Sequence, residues 1–539
     1  MISRIVSGKL ESGMLGRIRM RDELFYLILV IAALGGCSRD QTAPPTQSAG
    51  EIAKPRDLPN IILISVDTLR PDHLGCYGYS RATSPNIDRL AREGTLFETA
   101  VSSSSWTLPA HAAMFTGLSD SVHGATDTDK ALADSHHTLA ERLHEAGYKT
   151  AGFFSGPTLY PAFGLGQGFE TYIDCTSYPD LSAESVVAAD RKPGIEWGGD
   201  LQRASMSDIT SPRVYQAVKK WLREGEAPAE PTREGEAPTE SKGEHGSQSR
   251  ATPFFLFIHL WDCHFDFIPP APYDTMFDPG YTGTITGRDL IFNDAINKDM
   301  PKSDLEHLVA LYDGEIAWTD AHIGKILDEL TNLGLLDSSL VILLADHGTE
   351  FFEHGAKGHR QTLFDESIRI PLIVRRPGHV PAGQRIKDQA RMIDVLPTTM
   401  DLAGLPAPDR VMGRSLAGVI AGKPLEKAVA LSELDTYGHN LSSYRQLDRK
   451  LIRHETSKSW IAFNLRSDPA ELRPLQDAKN PLVSVCLREL EQTQAWLREN
   501  VARYAVPVAT PELPEAVRQR LQSLGYIGSQ EDEPVSDHP

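Results

Sequence analysis

Asp67 closes an apolar, β-branched run, Asn60–Val66, and is followed by Thr68 and Arg70 in ISVDTLRPDHLGCYG. A carboxylate in that place is a candidate metal ligand, although a strand-end aspartate also serves to cap the next element. Asp346 and His347 follow a second apolar run in LLADHGTEFFEHG, with Gly348 permitting a tight turn. Carboxylate oxygens with one imidazole suit Ca, Mg, Mn or Zn, and an oxygen-heavy set favours the harder ions. Glu350, Glu353, His354 and His359 crowd the same stretch, whose bland alternative is a histidine-rich surface loop. Thr107, in SSSSWTLPAHAAMFTG, precedes Pro109 and a helix-like segment. A hydroxyl at a helix N-terminus lies among N–H groups and a dipole that favour anions. A bound cation would lower its pKa and make it a competent nucleophile. The plainer role for Thr107 is an N-cap.

His259, Asp262 and His264 end or follow a third apolar run in FLFIHLWDCHFDFIPP. Either imidazole can protonate a leaving oxygen or bind a substrate oxyanion. His264 lies past the run and is the stronger candidate; His259 lies inside it and reads equally as a buried, hydrogen-bonded histidine. Arg70, His111, Lys357 and Arg360 are the cationic or potentially cationic groups near these motifs, able to clamp the oxygens of a tetrahedral ester. Their default is a surface salt bridge or a packed ring.

The elements that must hold these residues alternate. Asn60–Val66, Lys149–Phe154, Phe254–Leu260, Leu340–Leu344 and Pro371–Val374 read as buried strands, and Ser84–Glu93, Leu132–Ala146, Pro212–Leu222 and Leu305–Leu330 as helices. Ser84 is positioned to cap the first helix, with Pro85 at its first turn. This alternation predicts an α/β fold, a three-layer sandwich around a large, mostly parallel mixed sheet. Ligands in such sheets bind beyond the carboxyl ends of the strands, where Asp67 and Asp346 are both placed. After about Gly404 the apolar runs shorten: Ala428–Phe463 reads as short strands and Leu482–Glu499 as an amphipathic helix. A smaller C-terminal α+β domain, an antiparallel sheet plus helix over 426–539, is expected beside a catalytic domain over 58–425.

The 539-residue chain has 40% hydrophobic and 24% charged residues, ordinary for a globular protein. Its formal net charge of -19 argues against nucleic acid as a partner. Cys37, Cys76, Cys175, Cys263 and Cys486 form no CxxC pair, which argues against a thiolate zinc site. Arg17, Arg19 and Arg21 precede the apolar run Phe25–Leu34, which ends in Leu34-Gly35-Gly36-Cys37. The pattern resembles a bacterial lipoprotein signal over 1–37, cut before a lipid-bearing Cys37. An uncleaved anchor or an ordinary signal is the alternative. Residues 38–57 read as a flexible tether. The expectation is an exported protein, lipid-anchored on the periplasmic face of a membrane or at the cell surface. The near-repeat REGEAPAEP and REGEAPTE marks a disordered insertion at about 223–250.

Together, NIILISVDTLRPDHLGCYGY, SPNIDRLAREGTLFETA, WTLPAHAAMFTGL, ALYDGEIAWTDAHIGKILDEL, and ADHG with FDESIRIPLIVRRPG resemble the sulfatase family of the alkaline phosphatase superfamily over about 59–405. SLGYIG at Ser523–Gly528 is similar to a common family tail. The resemblance implies one divalent metal, calcium first, with Mn, Mg or Zn as alternatives. It implies Asp67, Asp346 and His347 as ligands with Thr107 as a fourth, and Thr107, His111, His264, His359 and Arg70 in catalysis. Lys357, Arg360 and His259 fall to substrate binding.

The family nucleophile lies in a pattern of Cys or Ser, any residue, Pro, any residue, Arg, and is converted to formylglycine. Here Thr107 and His111 stand at the two ends. Threonine is not a known substrate of that conversion, so no formylglycine is expected. An unmodified Thr107 would form a covalent ester, to be cleaved by water or passed to an acceptor. The expected reaction is metal-dependent hydrolysis of a small-molecule or glycan sulfate ester. A phosphodiester or phosphonate monoester hydrolase and a phosphotransferase are alternatives, as is a non-catalytic binding lipoprotein of the same fold. The reading requires Asp67 and Asp346 within about 6 Å of each other, the reach of one bound ion.

Overall fold

The computed structural model describes residues 58–177, 209–224 and 252–527, apart from 428, 437, 505 and 524. The signal and tether expected over 1–57, and residues 225–250 of the expected insertion, lie outside the described residues. Arg223 and Glu224 end the helix Ser211–Glu224.

The large sheet contains β1 (Asn60–Val66), β2 (Thr95–Val101), β3 (Lys149–Phe154), β4 (Thr171–Asp174), β5 (Phe254–Leu260) and β6 (Ser339–Ala345). A hairpin of β7 (Glu350–Phe351) and β8 (Lys357–Gly358) follows, and β9 (Arg369–Arg375), β10 (Gln384–Ile386) and β11 (Ala390–Arg391) complete the sheet. Its order is β10-β2-β9-β6-β1-β5-β3-β4, with β11 beside β2. Only β9 runs antiparallel to its neighbours, β6 and β2. Flanking helices cover the sheet, so β5 and β6 are buried at every position and β1 at all but the first. That burial of both faces explains their unbroken apolar runs.

Several local expectations needed correction. The helix expected over Leu132–Ala146 spans only Leu139–Glu145, because Thr138 and Glu141 form a capping box that starts it later. Ser84 occupies the N-cap position of Pro85–Glu93, yet its hydroxyl caps nothing. It donates to Asp88 Oδ1 (3.0 Å) and accepts from the Gly75 N–H (3.0 Å). The strand β2 went unread: TLFETAV alternates poorly, and its place is set by pairing with β9 across a bulge.

A second sheet is antiparallel: β12 (Ala430–Thr436), β13 (His439–Gln446), β14 (Arg449–His454) and β15 (Trp460–Asn464). The helix Pro481–Tyr504 packs on it through Val483, Cys486 and Leu490, against Tyr444, Leu451 and Ala462. A buried ion network ties it to the larger sheet's side. Lys450 Nζ lies 2.8 Å from both Asp365 Oδ1 and Glu471 Oε1, and Arg445 pairs with Asp365 at 2.8 Å. Strand β12 also grips the segment before Thr107. Glu433 N donates to Ser103 O (2.7 Å), Ser432 Oγ to Ser102 O (2.7 Å) and Ser104 Oγ to Glu433 O (2.7 Å).

Candidate active site

Parallel register builds the acidic end of the site. Val66 pairs with Ala345 and Ser65 with His259, so the residues after β1 and β6 emerge side by side. The Asp67 N–H still donates to Leu260 O at 2.9 Å. Thr68 then turns through φ 52°, sending its N–H to Asp346 Oδ1 (3.2 Å) and its hydroxyl to Cys263 O (2.6 Å). The Asp67, Asp346 and His347 ligand atoms all lie within 4.8 Å of one another, inside the limit the sequence reading set.

Thr107 enters from the other side. Trp106, in extended conformation, is the N-cap of the helix Thr107–Thr116, and Thr107 is its first helical residue. Its hydroxyl is therefore not spent on capping. Oγ1 lies 3.4 Å from Asp67 Oδ2 and 3.3 Å from His347 Nε2. Every residue of this helix is buried, and Gly117 closes it at φ 68°.

The hydrogen bonds fix most imidazoles. His347 Nδ1 faces Gly348 O (2.8 Å) and His259 Nδ1 faces Ser155 O (2.8 Å). A carbonyl only accepts, so each Nδ1 carries the proton and each Nε2 turns a lone pair inward. His259 Nε2 lies 3.4 Å from Asp67 Oδ2. His111 spends both nitrogens: Nδ1 on Thr107 O (2.9 Å) and Nε2 on Ser65 Oγ (3.1 Å). Burial pushes His111 and His264 down to about 3 and His259 to about 4. At His111 this differs from the fixed charge of an arginine.

These residues fit a divalent cation. Asp67 Oδ1, Asp346 Oδ2 and His259 Nε2 are buried with no hydrogen-bond partner. Burial, then the charge of Asp346, raises the Asp67 carboxyl well above its ordinary range. Burial also pushes Asp346 upward, but His347, His111 and His259 outweigh it and hold that carboxyl below its usual value. Two buried carboxylates this close call for a compensating positive charge. His259, read from sequence as a substrate contact, presents its lone pair to this same cluster. Only its pairing partner Ser155, after β3, decides that orientation.

The other candidates are placed as follows. Arg70 is engaged by Asp72 (2.7 Å), Glu353 (2.5 Å) and Thr349 O (3.0 Å). Lys357 Nζ donates to Ile296 O (2.7 Å) and Asn293 O (3.4 Å). Arg360 donates to Thr436 Oγ1 (2.6 Å) and Asp127 Oδ1 (3.3 Å), its guanidinium 4.0 Å from the Trp106 ring centre. His264 and His359 lie together, ring centres 4.8 Å apart, and His359 sits 4.7 Å from His347. The tail adds a residue that sequence reading did not single out. Tyr526 reaches His264 Nε2 at 2.8 Å and His359 Nε2 at 3.4 Å.

The sequence model of the sulfatase family matches residues 59–405, which contain all of these groups except Tyr526, Thr436 and the C-terminal sheet. The chain belongs to the sulfatase family. This sulfatase domain lies within the alkaline phosphatase superfamily, a class of hydrolases, and carries a buried Asp/His cluster at the expected site. A model described as N-sulphoglucosamine sulphohydrolase, C-terminal, matches 353–496. An arylsulfatase of Clostridium perfringens (strain 13 / Type A) is 24% identical, over 84% of this chain and 98% of its own. The phosphonate monoester hydrolase of Agrobacterium radiobacter superposes with a TM-score of 0.62 at 22% identity, over 89% of this chain and 100% of its own. A protein solved in complex with its substrate D-glucosamine-2-N,6-O-disulfate superposes with a TM-score of 0.64 at 19% identity, over 82% and 99%.

Proposed function

We propose that this sulfatase-family chain hydrolyses sulfate esters of sugars, using Thr107 unmodified as the nucleophile. The observation that carries this reading is the Thr107 hydroxyl, uncommitted to capping and held between Asp67 and His347 at the N-terminus of a buried helix. Asp67, Asp346 and His347 would hold a divalent cation, with His259 Nε2 turned toward the same place. Such an ion lowers the pKa of the hydroxyl and offsets charge on the ester oxygens. Thr107 Oγ1 gives up its proton and attacks sulfur in line; the bond from sulfur to the sugar oxygen breaks, that oxygen takes up a proton as it leaves, and a Thr107 sulfate ester forms. Water then cleaves that ester, releasing sulfate and restoring the hydroxyl. The helix N-terminus favours the anion throughout. A sugar ester is drawn from the relative solved with a disulfated glucosamine.

A second reading is a phosphonate monoester or phosphodiester hydrolase. His111 adds no fixed positive charge, which suits a singly charged ester, and both these phospho-esters and sulfate esters meet that condition. The proposal includes a lipid anchor at Cys37; among the described residues no helix is long and apolar enough to cross a membrane.

The test offers aryl sulfate, sulfated glucosamine, phosphodiester and phosphonate monoester to protein lacking residues 1–37. Ca, Mn, Mg and Zn are varied, with Thr107→Ala alongside. Metal-dependent turnover lost in Thr107→Ala, with a sulfuryl adduct on Thr107 by intact mass, is expected. Undiminished turnover in Thr107→Ala rules out this nucleophile. The preferred ester separates the two readings.

A further inference from the structure

His259 is the one polar residue of β5, a strand buried at every position. Register puts it beside Ser65 of β1, and its ring centre lies 5.0 Å from that of His111 on the helix Thr107–Thr116. With Nδ1 donating to Ser155 O, the lone pair belongs to Nε2. That nitrogen is buried without a hydrogen-bond partner, 3.4 Å from Asp67 Oδ2, and His259 offers a ligand atom within 4.8 Å of one on Asp346. An imidazole lone pair and a carboxylate oxygen are both acceptors, so neither answers the other. Asp67 Oδ1 and Asp346 Oδ2 are orphaned beside them. Leaving three buried acceptors unpaired is costly, and one cation satisfies all three.

His347 shows the same arrangement. Its Nδ1 donates to Gly348 O, and its Nε2 lies 3.8 Å from Asp67 Oδ1 and 3.5 Å from Asp346 Oδ2. A metal-bound histidine characteristically donates its other N–H to a carbonyl or carboxylate, and both rings do so here. His111 fails that test although it lies as near. Its two nitrogens are engaged by Thr107 O and Ser65 Oγ, so it has no lone pair to give.

We propose that His259 is a fourth protein ligand of the divalent ion, and that the resulting set of two carboxylates and two imidazoles selects Zn over Ca. This rests on the cation of the proposed function and not on the fate of Thr107. Four donors, each about 2.0–2.2 Å from a zinc ion, stand about 3.3–3.6 Å apart in a tetrahedron. The separations of 3.4 Å for His259 and Asp67 and 3.5 Å for His347 and Asp346 agree with that spacing. Calcium takes oxygen ligands, whereas imidazole suits zinc and its neighbours. Two carboxylates and two neutral imidazoles also balance the ion's charge, as burial requires. The resemblance to the family put calcium first and His259 on the substrate; the donor chemistry of this chain changes both.

Protein lacking residues 1–37 is stripped with a chelator and titrated with Zn and with Ca, binding being read by calorimetry and by competition with a chromophoric chelator. Zn should bind at least about a hundredfold more tightly than Ca. In His259→Gln the Zn affinity should fall by more than about a hundredfold, because loss of an outer partner alone costs about 10–100-fold. X-ray absorption of the zinc-loaded native protein should show two imidazoles at the ion. One imidazole there overturns the proposal, whether or not the variant folds. Ca bound more tightly than Zn overturns it too. So does unchanged Zn affinity in His259→Gln; a raised KM with that affinity intact would make His259 a substrate contact. These three results leave the proposed function standing. A native protein that binds no divalent cation would remove the cation from that function as well, so the two failures are told apart.

Discussion

Stripping the divalent ion should destabilise the fold, and by an amount that grows with pH. Asp67 and Asp346 are fully buried, and their ligand atoms lie within 4.8 Å of each other and of His347 Nε2. Two unit charges at 4.8 Å repel by about 3.5 kcal/mol at an effective dielectric of about 20. The ion cancels that repulsion. Without it the fold can protonate Asp67, whose pKa burial and then Asp346 already raise well above 3.8. The sign follows from linkage. The metal-free fold binds a proton that the unfolded chain does not, so its stability falls as pH rises from about 4 through the raised value. Toward pH 4 the proton substitutes for the ion; the penalty for that substitution grows as pH rises. Urea unfolding of metal-loaded and chelated protein should differ by about 3 kcal/mol at pH 8 and by less at pH 5.5. The buried His111 and His264 contribute to both forms and cancel in the difference. Asp346→Asn should remove the response to chelation at both pH values. An equal chelation effect at both pH values refutes this account. So does no effect at pH 8 in protein whose metal was shown by elemental analysis to be present and then removed.

Acid should weaken the fold below pH 6.5. His111 and His264 are held down to about 3 by burial, whereas the unfolded chain takes up their protons near 6.5. Stability should therefore fall by about 1.4 kcal/mol per pH unit for each as pH drops through that window, and His264→Gln should remove one such proton from the slope of unfolding free energy against pH. Gly348→Ala should lower stability by about 2–4 kcal/mol and weaken metal binding measured by calorimetry. Its Cβ would meet Glu366 O at 2.0 Å, beside the carbonyl that orients His347. Lys450→Met should cost about 3–5 kcal/mol by urea unfolding, because it leaves Asp365 and Glu471 buried without their shared cation.

The parts legible in the sequence share a physical cause. Asn60–Val66, Lys149–Phe154 and Phe254–Leu260 were read at their observed bounds, because strands buried on both faces must be apolar throughout. The polar residue that ends such a run marks the sheet's carboxyl edge, which is why Asp67 and Asp346 could be placed together. Elements whose stability comes from distant partners were not legible. Strand β2 exists through β9, some 270 residues later in the chain. The late start of Leu139–Glu145 depends on the side chains of Thr138 and Glu141 finding each other.

The sequence by itself determined which chemical groups the site holds and which strand ends carry the acids, because burial and turn chemistry are local demands on residue type. Only tertiary structure decided what each group does there. It made Trp106 the cap and freed the Thr107 hydroxyl, turned the His259 lone pair inward against Ser155, and engaged Arg70 with Asp72 and Glu353. It also brought Tyr526 to His264, 262 residues away along the chain. Hydrogen bonds are short-ranged and directional, so which partner a polar side chain takes depends on the packed fold. Spacing along the chain carries no such information.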